Sequence, residues 1–166
     1  MADVQILAAR EENIAAIRII GRASFKVSEQ LRDYGLRMIE EGMETVLFEL
    51  SECEGMDSTI LGVFAMIGLQ ARGKTEVVIL NASEPLYKAM QVVGVSRLFR
   101  FANQTVEELN WKNLCEAAAG AAETQESAGT ILDAHRTLMD LDENNVPKFK
   151  DVVELLEKEV NDSDGN

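Results

Sequence analysis

Residues 45–72, TVLFELSECEGMDSTILGVFAMIGLQAR, constrain this chain more than any other stretch. A short apolar run, too brief for a helix and containing Val46 and Phe48, passes through a polar loop. It then reaches Asp57-Ser58-Thr59, directly ahead of a long apolar segment. The pattern predicts a buried strand over Thr45 to Leu50 and a helix over Ser58 to Arg72, ended by Gly73. On a helical wheel, Leu61, Phe64, Gly68 and Ala71 share one side. The opposite stripe, Thr59, Val63, Met66 and Gln70, is also too apolar for water. A helix that is apolar all round is covered in the folded state. Three covers are open: a partner protein, a second copy of the chain, or the chain's own C-terminal part.

The remaining elements follow from the same periodicities. Val4, Ile6 and Ala8 alternate with more polar neighbours, the tip Arg10 to Asn13 interrupts, and Ile14 to Ile20 follows, closed by Gly21. This predicts an N-terminal hairpin. Leu31, Tyr34, Met38 and Ile39 recur at helical spacing within residues 28–41. Thr75 to Leu80 reads as a second buried strand, and Ser83 with Pro85 opens a helix that stops at Gly94. A strand at Leu98 to Phe101 and a helix from about Thr105 to Cys115 are expected next. Strands alternating with helices at this pace predict an α/β layer whose sheet is largely parallel, with an antiparallel N-terminal strand.

Charge marks a boundary near Cys115. Residues 1–115 hold 16 acids and 12 bases and residues 116–166 hold 13 and 4, so most of the net −13 lies in the last third. The expected organisation is a domain over 1–115, an Ala/Gly-rich linker over 116–127, two amphipathic helices within 128–160 and a disordered tail over 161–166. The acidic balance argues against nucleic-acid and anionic-membrane partners. No run reaches the length of a membrane span, and MADVQILAAREEN lacks the regions of a signal peptide, so a cytoplasmic, bacterial-type protein is expected.

With these elements placed, the first 115 or so residues resemble the STAS domain, found in anti-sigma factor antagonists and in cytoplasmic regions of sulfate transporters. The resemblance rests on FELSECEGMDSTILGV, on the trailing VVGVSRLFRFANQTVEEL, and on Gly21 at the end of the second strand. It implies a curved, mixed sheet of four or five strands with helices packed on one side, to which the C-terminal helices are an extension. It also implies that Ser58 matches the serine phosphorylated by a partner kinase in the antagonists, with Thr59 as an alternative acceptor. Ile60 stands where phosphorylatable members usually have Gly, and Ser24 lies near a position often acidic in them. The partners implied are an anti-sigma factor or switch serine kinase, with a serine phosphatase and a homodimer as further arrangements. The expected partner-binding residues are Ser24, Asp57, Ser58, Thr59, Val63 and Met66.

Read from the residues alone, Ser58 is first of all a helix N-cap, with Asp57 a second candidate for that role. Phosphorylation there would add about −1.5 to −2 charges beside Asp57, Glu52 and Glu54. A surface fitted to the neutral hydroxyl would then meet repulsion, which is a mechanism for release. His135, the only histidine, falls on the apolar side of its helix and reads as a packing residue. Cys53 sits among acids and Cys115 reads as a small packing residue, so neither is an expected nucleophile. No phosphate-binding glycine loop or metal-ligand spacing occurs, and no catalytic set assembles around one histidine, so no cofactor, metal or enzymatic activity is expected. Two other readings stay open: a STAS scaffold in which Ser58 only caps, and a module holding a small molecule or nucleotide at the same helix N-terminus.

Overall fold

The computed structural model describes residues 4–106, 109–114 and 125–164. Strand β1 (Gln5–Glu11) turns back through Glu12-Asn13 into β2 (Ile14–Ala23), with Glu11 opposite Ile14. Helix α1 (Ser28–Glu40) leads to β3 (Thr45–Glu49), which lies parallel to β2. The short β4 (Cys53–Met56) precedes α2 (Ser58–Ala71), and β5 (Glu76–Leu80), α3 (Glu84–Val92) and β6 (Arg100–Ala102) follow. The last strand, β7, is only Lys112–Asn113. The sheet order is β6-β5-β3-β2-β1-β7, with β4 beside the far end of β2. Neighbours from β2 to β6 are parallel, and β1 is antiparallel to both β2 and β7.

Period-two alternation decides which side of this sheet is dry. Ile17, Ile19, Val46, Phe48, Val77 and Ile79 point to one side and are buried with Leu31, Met38, Phe64 and Met90 from the helices. Phe48 and Phe64 meet edge to face with centroids 4.5 Å apart. The other side carries Ile14, Arg18, Leu47 and Glu49. The seven strands among the described residues exceed the four or five expected because β4 and β7 are too short to read from sequence. Gly21, with φ of 91°, sits at the irregularity in β2, and its N–H donates to the Glu52 carbonyl. That left-handed conformation favours glycine, and it lets β2 run past β3 to pair with β4.

The expected helix from Thr105 to Cys115 is a correction. Residues 109–111 are not helical, and Lys112–Asn113 instead pairs with Leu7 and Ala8. The Trp111 N–H donates to the Leu109 carbonyl at 2.9 Å in a tight turn, and the Arg18 guanidinium lies 4.5 Å from the Trp111 ring centroid on the open side of the sheet. Cys115 and Glu107-Glu108 lie outside the described residues.

Two further helices form the C-terminal part: α4 (Gln125–Leu141) and α5 (Val146–Asp164). Most of the expected linker, 116–124, falls outside the described residues, while α4 begins at Gln125. Helix α5 continues to Asp164, past the predicted end at Val160. Helix α4 packs on α2 and α5 on α4. Leu132, Ala134 and Leu138 are buried there, as is Val153 of α5. Burying a Leu contributes roughly 1.5–3 kcal/mol relative to exposure. Asn145, fully buried between the helices, donates to the carbonyls of Val93 and Leu138 at 2.9 and 2.8 Å. Arg97 pairs with Asp142 at 3.3 Å on the rim. Helix α4 therefore covers the side of α2 that carries Ser58 and Gly62, while Gln70 of the outer stripe stays exposed. Gly62 makes the contact close: a Cβ there would lie 2.4 Å from the Ala134 carbonyl oxygen.

Candidate functional site at the start of helix α2

Strand β4 delivers Asp57 in an extended conformation, and Asp57 rather than Ser58 caps α2. Its Oδ1 accepts from the Ile60 N–H at 3.0 Å and its Oδ2 from the Phe25 N–H at 2.8 Å. One carboxylate thus ties the start of α2 to the turn that follows β2, and its charge suits the positive end of the helix. The expectation of a Ser58 cap is corrected for this reason: Asp57 satisfies N–H groups from two separate segments, which a hydroxyl in the next position cannot do.

Displaced into the first helical position, Ser58 directs its hydroxyl to the extension. Ser58 Oγ lies 2.8 Å from His135 Nε2, and His135 Nδ1 lies 2.7 Å from the Ile131 carbonyl oxygen. A carbonyl only accepts, so Nδ1 carries a proton. In the neutral ring Nε2 is then the acceptor and Ser58 the donor. The imidazole is 3% exposed and meets Phe149 edge-on at 5.3 Å between centroids. A serine beside an oriented imidazole is the pairing that activates nucleophiles in hydrolases. Here it joins two helices, and the pocket described below includes neither residue. His135 is more than the packing residue expected; its partner, 77 positions away, is invisible to any local pattern.

The other predicted residues gather in the same corner with unequal access. Ser24 is half-buried and its Oγ accepts from the Lys26 N–H at 3.4 Å, closing the turn at Phe25–Val27. Ser58 and Met66 are half-buried, whereas Thr59 is 4% exposed and Val63 fully buried. Thr59 and Val63 therefore offer no surface. Ser24, Asp57 and Ser58 line the edge of α4.

Burial, more than the nearby Glu54, pushes the Cys53 thiol up, the direction expected of a cysteine that is no nucleophile. Among the described residues no group of His, Cys, Asp and Glu could hold a metal ion. No helix among them is long and apolar enough to cross a membrane.

Comparison with known proteins identifies the fold. The structure of the anti-sigma factor antagonist SpoIIAA in its unphosphorylated form is 21% identical, with a TM-score of 0.52 over 62% of this chain and 89% of that one. The Bacillus cell fate determinant SpoIIAA in the phosphorylated form is also 21% identical, with a TM-score of 0.50 over 62% and 92%. At this identity the likeness concerns the fold. Among curated protein sequences none matches. The family model of the STAS domain matches residues 5–109, which takes in every strand but β7 and leaves out both helices of the extension. The chain belongs to the STAS domain family.

Proposed function

We propose that this chain is a protein-binding regulator of the anti-sigma factor antagonist kind, switched by phosphorylation of Ser58. In the open, unmodified form, Ser24, Asp57, Ser58, Thr59, Val63 and Met66 would receive an anti-sigma factor or switch serine kinase. A phosphate on Ser58 would add negative charge beside Asp57 and weaken that contact, and a serine phosphatase would restore it. The observation that supports this reading best is the Ser58 hydroxyl, released from capping by Asp57 and directed away from its own domain. Helix α4 packs on α2 beside these residues and takes the Ser58 hydroxyl, so the described form is the closed one. Both a partner and a kinase would need the extension to leave, which makes it autoinhibitory. The neighbouring SpoIIAA structures, solved with and without phosphorylation, lend support by analogy of fold.

The test is incubation of the full chain with a cognate serine kinase and ATP, followed by mass mapping. Label is expected on Ser58 and absent from Ser58→Ala. His135→Ala, which removes the acceptor holding the hydroxyl, is expected to label faster. Label elsewhere, or none, would refute the switch. Equal rates for His135→Ala would refute the gate.

A further inference from the structure

The edge where β1 meets β7 gathers positive charge, in a chain whose formal net charge is −13. Lys112 stands opposite Ala8, and directly opposed residues of antiparallel strands point to the same side. Arg10, two positions beyond Ala8, shares that side, which is the one packed against the helices. From α1, Tyr34, Arg37 and Glu41 recur at helical spacing and meet it there. A pocket of about 340 Å³ lies between, with Ala8, Arg10, Tyr34, Arg37, Lys112 and Leu114 in its wall. Ligand sites in proteins start at roughly this size. The whole lining holds three cations and no carboxylate.

The three cations are unequally engaged. Arg10 Nη1 pairs with Glu41 Oε2 at 3.1 Å, and its Nη2 lies 3.7 Å from Met43 Sδ. Arg37 lies over the Tyr34 ring, 5.5 Å from its centroid. Neither Arg37 nor Lys112 forms an ion pair among the described residues. Three positive charges less the one carboxylate on Arg10 leave two uncompensated. Between them sits Tyr34, only 7% exposed. Its hydroxyl makes no hydrogen bond among the described residues, although it is not sealed from the surface. Polar groups on so buried a side chain are normally paired. Burial raises the Tyr34 pKa against the pull of Arg10 and Arg37, so the hydroxyl keeps its proton and can donate. The pocket therefore offers two free cations and a buried donor to one acceptor-rich group.

We propose that this pocket is a binding site for a small phosphomonoester. Such a group carries about −1.5 to −2 charges at neutral pH and three strong acceptor oxygens. The charge matches the two uncompensated cations, and the oxygens would accept from Arg37, Lys112 and the Tyr34 hydroxyl. A short apolar body would rest against Ala8 and Leu114. A carboxylate would neutralise only one of the two cations and bring one oxygen fewer. The negative field of the whole chain works against anions at a distance, so selection rests on these close contacts. The site takes in neither Ser58 nor His135, so it stands or falls independently of the function proposed above.

The experiment is a two-dimensional amide NMR titration of the full chain with phenyl phosphate and with benzoate, a monoanion on the same ring. Saturable shifts at Ala8, Arg10, Lys112 and Leu114 are expected with phenyl phosphate. Benzoate should bind about 5-fold more weakly, the usual effect of losing one exposed charge pair. Tyr34→Phe should weaken phenyl phosphate by a similar factor, the usual effect of losing one hydrogen bond. Arg37 and Lys112 are exposed, so replacing both, Arg37→Gln with Lys112→Gln, should spare the fold and abolish saturable binding. That double variant is the arbiter should Tyr34→Phe not fold. No saturable shift, equal binding of benzoate, undiminished binding by the double variant, or shifts confined to the start of α2 would overturn the proposal.

Discussion

Gly62→Ala separates the extension from the domain while sparing the domain itself. The added Cβ would stand 2.4 Å from the Ala134 carbonyl oxygen and 2.6 Å from the Ala134 Cβ. Ordinary heavy-atom contacts lie near ~3.5 Å, so α4 must retreat by about 1 Å. A gap of that size forfeits roughly a quarter to a half of each facing dispersion contact, among them those of Leu132 and Leu138. Overpacking of this kind costs about 1–3 kcal/mol. Within α2 the same change is favourable by up to about 1 kcal/mol, because alanine exceeds glycine in helix propensity. The domain should therefore keep its stability while the undocked population rises roughly 5- to 150-fold, the equivalent of 1–3 kcal/mol. Hydrogen–deuterium exchange reads both quantities: amides of residues 129–141 should exchange faster by that factor, and those of β2, β3 and β5 at an unchanged rate. Unchanged protection in α4, or equal acceleration through the sheet, would refute the reasoning.

Two other predictions concern the carboxylates that organise the fold. Asp57→Ala removes an acceptor from two backbone N–H groups. It should cost at least the ~1 kcal/mol of a lost cap, with Asp57→Asn recovering most of it; thermal melts would show this as a fall of about 2–4 °C per kcal/mol, and no difference between Ala and Asn would contradict it. Burial alone would raise the pKa of Glu49, but donors on Ser51 and Asn81, with Arg18 nearby, outweigh it and hold the carboxyl below its ordinary range. Its stabilisation is then complete above the unfolded value of about 4.3 and is lost as pH falls through the lower folded value. Melting temperature should drop more steeply below about pH 4.3 in the wild-type chain than in Glu49→Gln, and parallel curves would remove Glu49 from the account.

What could be read in advance divides by range. The alternation in Ile14 to Ile20 and the apolar runs of β3 and β5 stated their pairing partners' character, and Ser83 with Pro85 announced α3, because those signals are local. Lys112–Asn113 carries none: a two-residue strand exists only because Leu7 and Ala8 present an unpaired edge. The order Asp57-Ser58 offers two capping residues, and the choice falls to Asp57 through the Phe25 N–H, 32 positions away. The amphipathic stripes of α4 and α5 demanded an apolar partner without naming it. Gly62 was the overlooked clue, since a glycine inside an apolar helix costs stability unless another backbone comes close.

Tethering gives the closed arrangement a threshold. Ten positions, 115–124, join the described ends at Leu114 and Gln125, and a connection that short keeps a segment at an effective concentration on the order of millimolar. Any visitor to α2 competes against a neighbour that never diffuses away. A weakly binding protein at ordinary cellular abundance would be turned aside, while a tight one, or an event that first loosens the latch, would get through. The single missing side chain at position 62 thereby sets how selective the door is.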